Sequence, residues 1–305
     1  MRKSSLKENG TPRPPIWMSV NRKSISLLIL VIAATATWGT TVAGQGRGRG
    51  EASSDSIKES GQSVTGAYEG WYKNADGSYT LLVGYFNRNG KETFDIPVGP
   101  DNRIEPGGPD QGQPTHFLPR RQWGVFTIYM PPDFGNKKLT WTITANGQIT
   151  SIPLDINPLW VVEPFKDASG NAAPVVRFET GGAAFAGPPR SIAQALSVKV
   201  SDSLPLTAWV TDENSSRPPR GSGRGGRGNQ SPVSAFWSKF RGPGPVSFDD
   251  ARPRVEEGKA STAAKFTLPG EYILRLQANN ATGDGGAGFQ CCWTNVHVKV
   301  TVTAP

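Results

Sequence analysis

The chain has 305 residues, with 33 Lys and Arg against 25 Asp and Glu, a formal net charge of +8, and 36% apolar residues. Its 36 Gly and 26 Pro make up roughly a fifth of the sequence, against a combined average of about 12%. That punctuation excludes a long helical bundle, a coiled coil and a multi-pass membrane protein, and two Cys with two His leave no ligand set for zinc-finger or multi-thiolate metal chemistry.

Residues 25–37 (ISLLILVIAATAT) are apolar but too short for the roughly 20 residues that span a bilayer. They follow Arg22-Lys23 and lead into the small-residue site Thr41-Val42-Ala43, the order of a secretory signal, so residues 1–43 are expected to be removed. Met18 is an alternative start that opens a compact signal by itself. The competing expectation is a leader that stays uncleaved as a membrane anchor. The leader holds six basic residues and Glu8, a net of +5, so its removal leaves +3. Six further arginines lie in Gly-Arg tracts: Arg47 and Arg49, then Arg217, Arg220, Arg224 and Arg227. Without them the body carries −3. The basic charge therefore does not describe a basic folded surface, and nucleic acid is an unfavoured partner.

Residues 44–66 are rich in Gly, Ser and charge and are predicted to form a disordered tether. Strand patterns begin at Tyr68-Glu-Gly-Trp-Tyr72 and Tyr79-Thr-Leu-Leu-Val-Gly-Tyr85, around an Asp76-Gly77 turn. Tyr79, Leu81, Val83 and Tyr85 alternate as on a half-buried strand. Asn89-Gly90 is predicted to open a hairpin before residues 91–96, and Asn146-Gly147 to join strands at 139–145 and 148–152, because both central residues of a tight hairpin turn need positive φ. Residues 97–120 read as one long Pro/Gly loop, and a strand resumes at residues 122–129. With a last strand at residues 159–165, the block 67–166 counts six or seven strands and is predicted to be a β-sandwich of no assigned family.

Residues 167–190 read as a linker with a short strand at 175–178. Further strands follow at 196–200, 206–210, 233–237, 264–268, 272–276 and 296–302. In the last of these, Val296, Val298, Val300 and Val302 face one way and His297, Lys299 and Thr301 the other, the pattern of a one-sided antiparallel strand with His297 outward. The run Trp237-Ser-Lys-Phe-Arg-Gly-Pro-Gly-Pro-Val-Ser-Phe248, the Pro269-Gly270 turn with Tyr272-Ile-Leu-Arg-Leu276, and the closing Val-x-Val-x-Val resemble the immunoglobulin-like PKD domain family over residues 191–305. The resemblance implies a core Trp237 on the third strand and Tyr272 as a tyrosine-corner residue. It also implies display outside the cytoplasm. The family's Trp-Asp-Phe-Gly-Asp-Gly run is replaced here by WSKFRGPG, and an Arg/Gly insertion at 213–231 interrupts the domain, so no family ligand transfers.

Cys291-Cys292 is the oddest feature. Adjacent strand residues point to opposite faces, so four states stay open: a strained vicinal disulfide, one buried and one exposed thiol, an intermolecular bridge, or a metal or redox role. The arginines Arg217, Arg220, Arg224 and Arg227 could hold a polyanion or simply solvate a loop. No Gly-x-Ser-x-Gly or P-loop occurs, so a hydrolase would have to be built on His116 in the long loop. Seven tryptophans after residue 43 could form a glycan platform if several were exposed and coplanar. A calcium site from Asn279, Asn280 and Asp284 lacks the spaced acidic run it needs. The expectation is an all-β, non-enzymatic binding or scaffolding module of the bacterial envelope or exterior. No cofactor or metal is called for, and an unknown protein or surface glycan would be the partner, met by loops 97–120, 213–231 and 280–295. The competing readings are a carbohydrate-binding accessory protein, and a small hydrolase or redox protein using His116 or the cysteine pair.

Overall fold

A computed structural model describes residues 57–163, 172–212, 233–280 and 292–305. They form two β-sandwiches within one compact unit. No helix among them is long and apolar enough to cross a membrane.

The first sandwich packs the sheet β1 (Val64–Lys73), β2 (Tyr79–Asn87) and β6 (Arg120–Met130) against the sheet β4 (Asn102–Glu105), β7 (Leu139–Ala145) and β8 (Gln148–Leu154). Leu81, Val83, Tyr85, Phe126, Ile104 and Trp141 fill the space between them. The β7–β8 turn has φ of 49° at Asn146 and 71° at Gly147, the left-handed pair that a two-residue hairpin demands. Residues 57–63, grouped with the tether on composition, are hydrogen-bonded to the segment after β2: Lys58 and Glu59 carbonyls accept from Gly90, Lys91 and Glu92. Asn89-Gly90 therefore docks this segment and opens no hairpin.

Two other expectations are corrected. The long loop 97–120 contains β4 and also β5 (His116–Phe117), which pairs with β3 (Phe94–Asp95). Prolines erased the alternation there, because they donate no ladder bond. Buried amides replace the missing bonds: Asn102 Nδ2 donates to Ile96 and Pro114 carbonyls, and Gln113 Nε2 to those of Pro109 and Asn102. Of the strand expected at residues 159–165, the described residues 159–163 hold none: Pro158–Trp160 is a single 3₁₀ turn, with Pro158 setting φ and the Asn157 side chain capping the Leu159 N–H, and residues 164 and 165 lie outside the described residues.

The second sandwich stacks the sheet β9 (Val175–Arg177), β11 (Leu204–Thr211), β14 (Lys259–Phe266) and β13 (Val246–Phe248) on the sheet β10 (Ile192–Lys199), β16 (Trp293–Thr303), β15 (Gly270–Asn280) and β12 (Val233–Arg241). This is the immunoglobulin-like partition of strands into an ABED and a GFC sheet. Trp237 and Tyr272 are 1% and 0% exposed in its core, and Tyr272 Oη donates to the Leu268 carbonyl at 2.9 Å. Tyr272→Phe is expected to lose about 1 kcal/mol of stability by leaving that carbonyl unpaired, measurable by urea unfolding. β16 departs from a one-sided antiparallel strand. It pairs antiparallel with β15 but parallel with β10, and His297 on its second face is buried.

Candidate functional site

The second face of β16 is buried because it lies on the first sandwich. Gly124 in β6 and Trp293 in β16 meet there: a Cβ on Gly124 would sit 1.7 Å from the Trp293 ring, at a φ of 50°. A glycine inside a strand pattern marks such a close approach. Around this contact, Asn295 Nδ2 donates to the Trp123 and Gly124 carbonyls at 3.0 and 2.9 Å. The His297 Nε2–H donates to the Val125 carbonyl at 3.1 Å, and its ring lies 4.2 Å from that of Phe240. Phe240, on β12 of the second sandwich, is part of the first sandwich's core.

A charge cluster lines the joint. Glu69 on β1 receives Arg121 Nη2 at 2.6 Å and the Gly124 N–H at 2.8 Å. Arg275 on β15 donates from Nε to Asn295 Oδ1 at 2.8 Å and from Nη1 to Gln122 Oε1 at 3.1 Å. Burial pushes the Glu69 carboxyl up to about 7 despite Arg121 and the Gly124 amide. Burial likewise lowers Arg275 to about 10, with Tyr85 and Glu69 opposing. His297 is pushed down to about 3 by burial and then by the nearby Arg275 charge, so its imidazole is neutral.

At one rim, the former loop meets the second sandwich. Arg241 makes a bidentate pair with Asp110 at 2.7 and 3.0 Å and donates to the Gln113 carbonyl, while the Thr115 N–H donates to the Phe240 carbonyl. A cleft of about 380 Å³ opens beside these contacts, lined by Asp95, Thr115, Lys239, Arg241, Glu271 and a Gly-Pro turn. Asp95 Oδ1 takes both Lys239 Nζ at 2.6 Å and His116 Nδ1 at 3.0 Å. Burial lowers the His116 pKa, with Asp95 opposing. Among the described residues no hydroxyl or thiol hydrogen-bonds to His116, whose ring partner is the Asp95 carboxylate. A His–Asp pair anchored by a lysine ties loop to strand.

The other predicted residues fall as follows. Arg217, Arg220, Arg224, Arg227, Asp284 and Cys291 lie outside the described residues. Cys292 is buried, has a φ of 73° and is disulfide-bonded. Of the seven tryptophans after residue 43, Trp141, Trp237 and Trp293 are each 1% exposed, Trp71, Trp123 and Trp209 are half-buried, and Trp160 is exposed. They form no exposed row. Within the loop 97–120, Asp110, Gln113 and Thr115 contact β12 of the second sandwich. Glu69, Gly124, Arg275 and Asn295 went unread in the sequence, and Gly124 amid the apolar run Trp123-Gly-Val-Phe126 was the one signal that could have found them.

No protein-family model matches the chain, and no curated protein matches it. Among solved structures it is similar to domains 4 and 5 of the S-layer protein SbsC, at 12% identity over 80% of this chain and 98% of that one, with a TM-score of 0.23. It is also similar to the D00-D0 domain of intimin, at 12% identity over 78% and 100%, with a TM-score of 0.25. A protein of unknown function from Porphyromonas gingivalis W83 gives 7% identity over 78% and 99%, with a TM-score of 0.23. At these scores the likeness does not extend to a shared arrangement of domains or to any surface residue.

Proposed function

We propose that this chain is an exported, non-enzymatic scaffolding module of the bacterial envelope or exterior, which holds its surface loops at a fixed spacing for a protein partner. The observation that carries this reading is the joint. Two sandwiches linked by mobile segments would reorient freely, whereas here an aromatic ring seated on a glycine, a shared core residue and a buried hydrogen-bond network tie them into one body. A stiff frame with recognition on its irregular segments is how loops outside the cytoplasm are used. Export is supported by the leader pattern of residues 22–43 and by the disulfide at Cys292, since disulfides persist in oxidising compartments. The chain has one other cysteine, and we take Cys291 as its partner in a vicinal ring.

A glycan platform is the weaker reading, because three of the seven tryptophans are core residues and one stands exposed. The test is fractionation of cells producing the full chain, followed by intact mass measurement. The expected result is an extracytoplasmic protein starting at Gly44, monothiol-inert without reductant and gaining two alkylated cysteines within one chain after reduction. Cytosolic protein retaining residues 1–43, or two free thiols before reduction, would overturn the reading.

A further inference from the structure

Every exposed strand edge is a template for another strand, and folded proteins blunt such edges with prolines, charges, short length or a covering segment. Among the described residues the edges are blunted in these ways with one exception. The edge of β1 is capped where the Val162 N–H donates to the Trp71 carbonyl and the Thr150 hydroxyl to that of Val64, and β3 and β5 are only two residues long. The outer edge of β12 is covered, since Ala251 accepts from the Trp237 N–H and Phe240 accepts from Thr115. The edge of β9 is paired by Phe185, which exchanges both backbone bonds with Val176. β13 is three residues long and β4 carries Arg103 and Glu105. β8 contains Pro153, and the Thr150 hydroxyl binds the Val64 carbonyl on β1. β6 is sealed by Asn295 and His297.

β10 is the exception. It is eight residues long (IAQALSVK), has no proline, and carries one charge, at its end. Its inner side pairs parallel with β16, and the Val200 N–H continues that ladder to Thr303. Backbone groups alternate sides along a strand, so Leu196, Val198 and Val200 bond inward while the N–H and C=O of Ala195 and Ser197 face the open edge. Neither has a partner among the described residues. Lys199 also faces out, with its carbonyl taken by the Asp202 N–H. On the side-chain faces, Leu196 and Val198 pack on the core, while Ala195, Ser197 and Lys199 are exposed.

We infer that β10 is a self-pairing edge, through which a second copy of this chain joins antiparallel about a two-fold axis centred on Ser197. That register is the self-complementary one. Ser197 opposes its own counterpart as a small, hydrogen-bonded pair. Leu196 opposes Val198 of the second copy on the inward face, extending both cores across the seam. Lys199 opposes Ala195, so no like charges meet. A two-fold interface uses the same patch on both copies and closes, which makes a dimer and stops there. A proline-bearing partner strand would lack the N–H groups this edge accepts, whereas the strand's own sequence fits it.

The test is sedimentation of the purified full-length exported chain over a concentration series. The expected result is a reversible dimer. Ser197→Pro removes an outward N–H that the fold does not use, so it should leave the melting curve unchanged and abolish the dimer. Ala195→Glu places a carboxylate opposite Lys199 twice per dimer and should tighten Kd, while Ala195→Lys should weaken it, each on the order of tenfold. These two variants decide the register even if the proline variant misfolds. A chain monomeric at every concentration overturns the inference. A dimer indifferent to Ala195→Glu and Ala195→Lys does so too, as does one that survives Ser197→Pro.

Discussion

Gly124→Val separates the two sandwiches. The new Cβ would lie 1.7 Å from Trp293 Cη2 and 2.4 Å from Cζ2, at a φ of 50° that a β-branched residue does not accept. The ring has nowhere to go, because Trp293 is itself 1% exposed. Overpacking costs about 1–3 kcal/mol and the left-handed backbone about 1–2 more. The expected loss is therefore about 3 kcal/mol or more, a fall in Tm of roughly 6–12 °C for a chain of this size. Two unfolding transitions should replace one as the sandwiches lose their coupling. A cycle isolates the contact: Gly124→Ala should cost less in a Trp293→Ala background than in the parent, since removing the ring frees the space. Equal costs in both backgrounds would show that the backbone angle alone, and not the seating of the ring, makes glycine necessary.

The second large effect is on pH dependence, and it is hidden in the parent protein. Glu69 has its carboxyl raised from 4.5 to about 7 in the fold, so the folded state holds a proton that the unfolded state has lost. Its contribution is fully present below about 4.5 and disappears as pH rises through 7. His297 runs the other way. Its imidazole is lowered from 6.5 to about 3, so the unfolded state holds the extra proton and stability falls as pH drops below 6.5. Each slope approaches about 1.4 kcal/mol per pH unit. Between pH 4.5 and 6.5 the two oppose, and the parent's urea-unfolding free energy should be nearly flat in their joint contribution. Glu69→Gln keeps an acceptor for the Gly124 N–H and exposes the histidine: stability should fall by about 2–3 kcal/mol from pH 6.5 to 4.5. His297→Gln keeps a donor for the Val125 carbonyl and exposes the glutamate: stability should rise by a similar amount over the same range. Parallel profiles for the parent and both variants would show that these groups do not titrate as their burial implies.

The same residues show what alternation in a sequence can and cannot convey. A period of two reports that one side of a strand is apolar, and it found the cores: Leu81, Val83 and Tyr85 in one sandwich, Tyr272, Leu274 and Leu276 in the other. It assigns everything between to the opposite side and says nothing of what that side touches. Arg275 lies between Leu274 and Leu276, and His297 between Val296 and Val298, so both read as solvent-facing, yet they are 2% and 8% exposed. A second protein layer made of polar groups is indistinguishable from water at this level. The Pro/Gly loop failed for a different reason. Its strands are only four and two residues long, the segments between them are held by Asn102 and Gln113 side chains, and an amide that stands in for a ladder bond leaves no periodic trace. The parallel seating of β10 on β16 was also unreadable, because the choice of partner for a strand belongs to topology.

The order of the strands along the chain has a consequence for how the molecule is made. β16 binds β10 and β15 and meets the first sandwich through Trp293, Asn295 and His297, and it follows every described element it contacts. Val125 and His297 are separated by 172 residues, which at about 5–20 residues per second is roughly 10–35 s of synthesis. During that interval the newborn polypeptide carries a buried-to-be glutamate and a glycine notch still open to solvent. The immunoglobulin-like half, lacking its central strand, cannot close. For a chain exported as proposed and crossing unfolded, the locking step waits for β16, and closure of the body follows passage across the membrane.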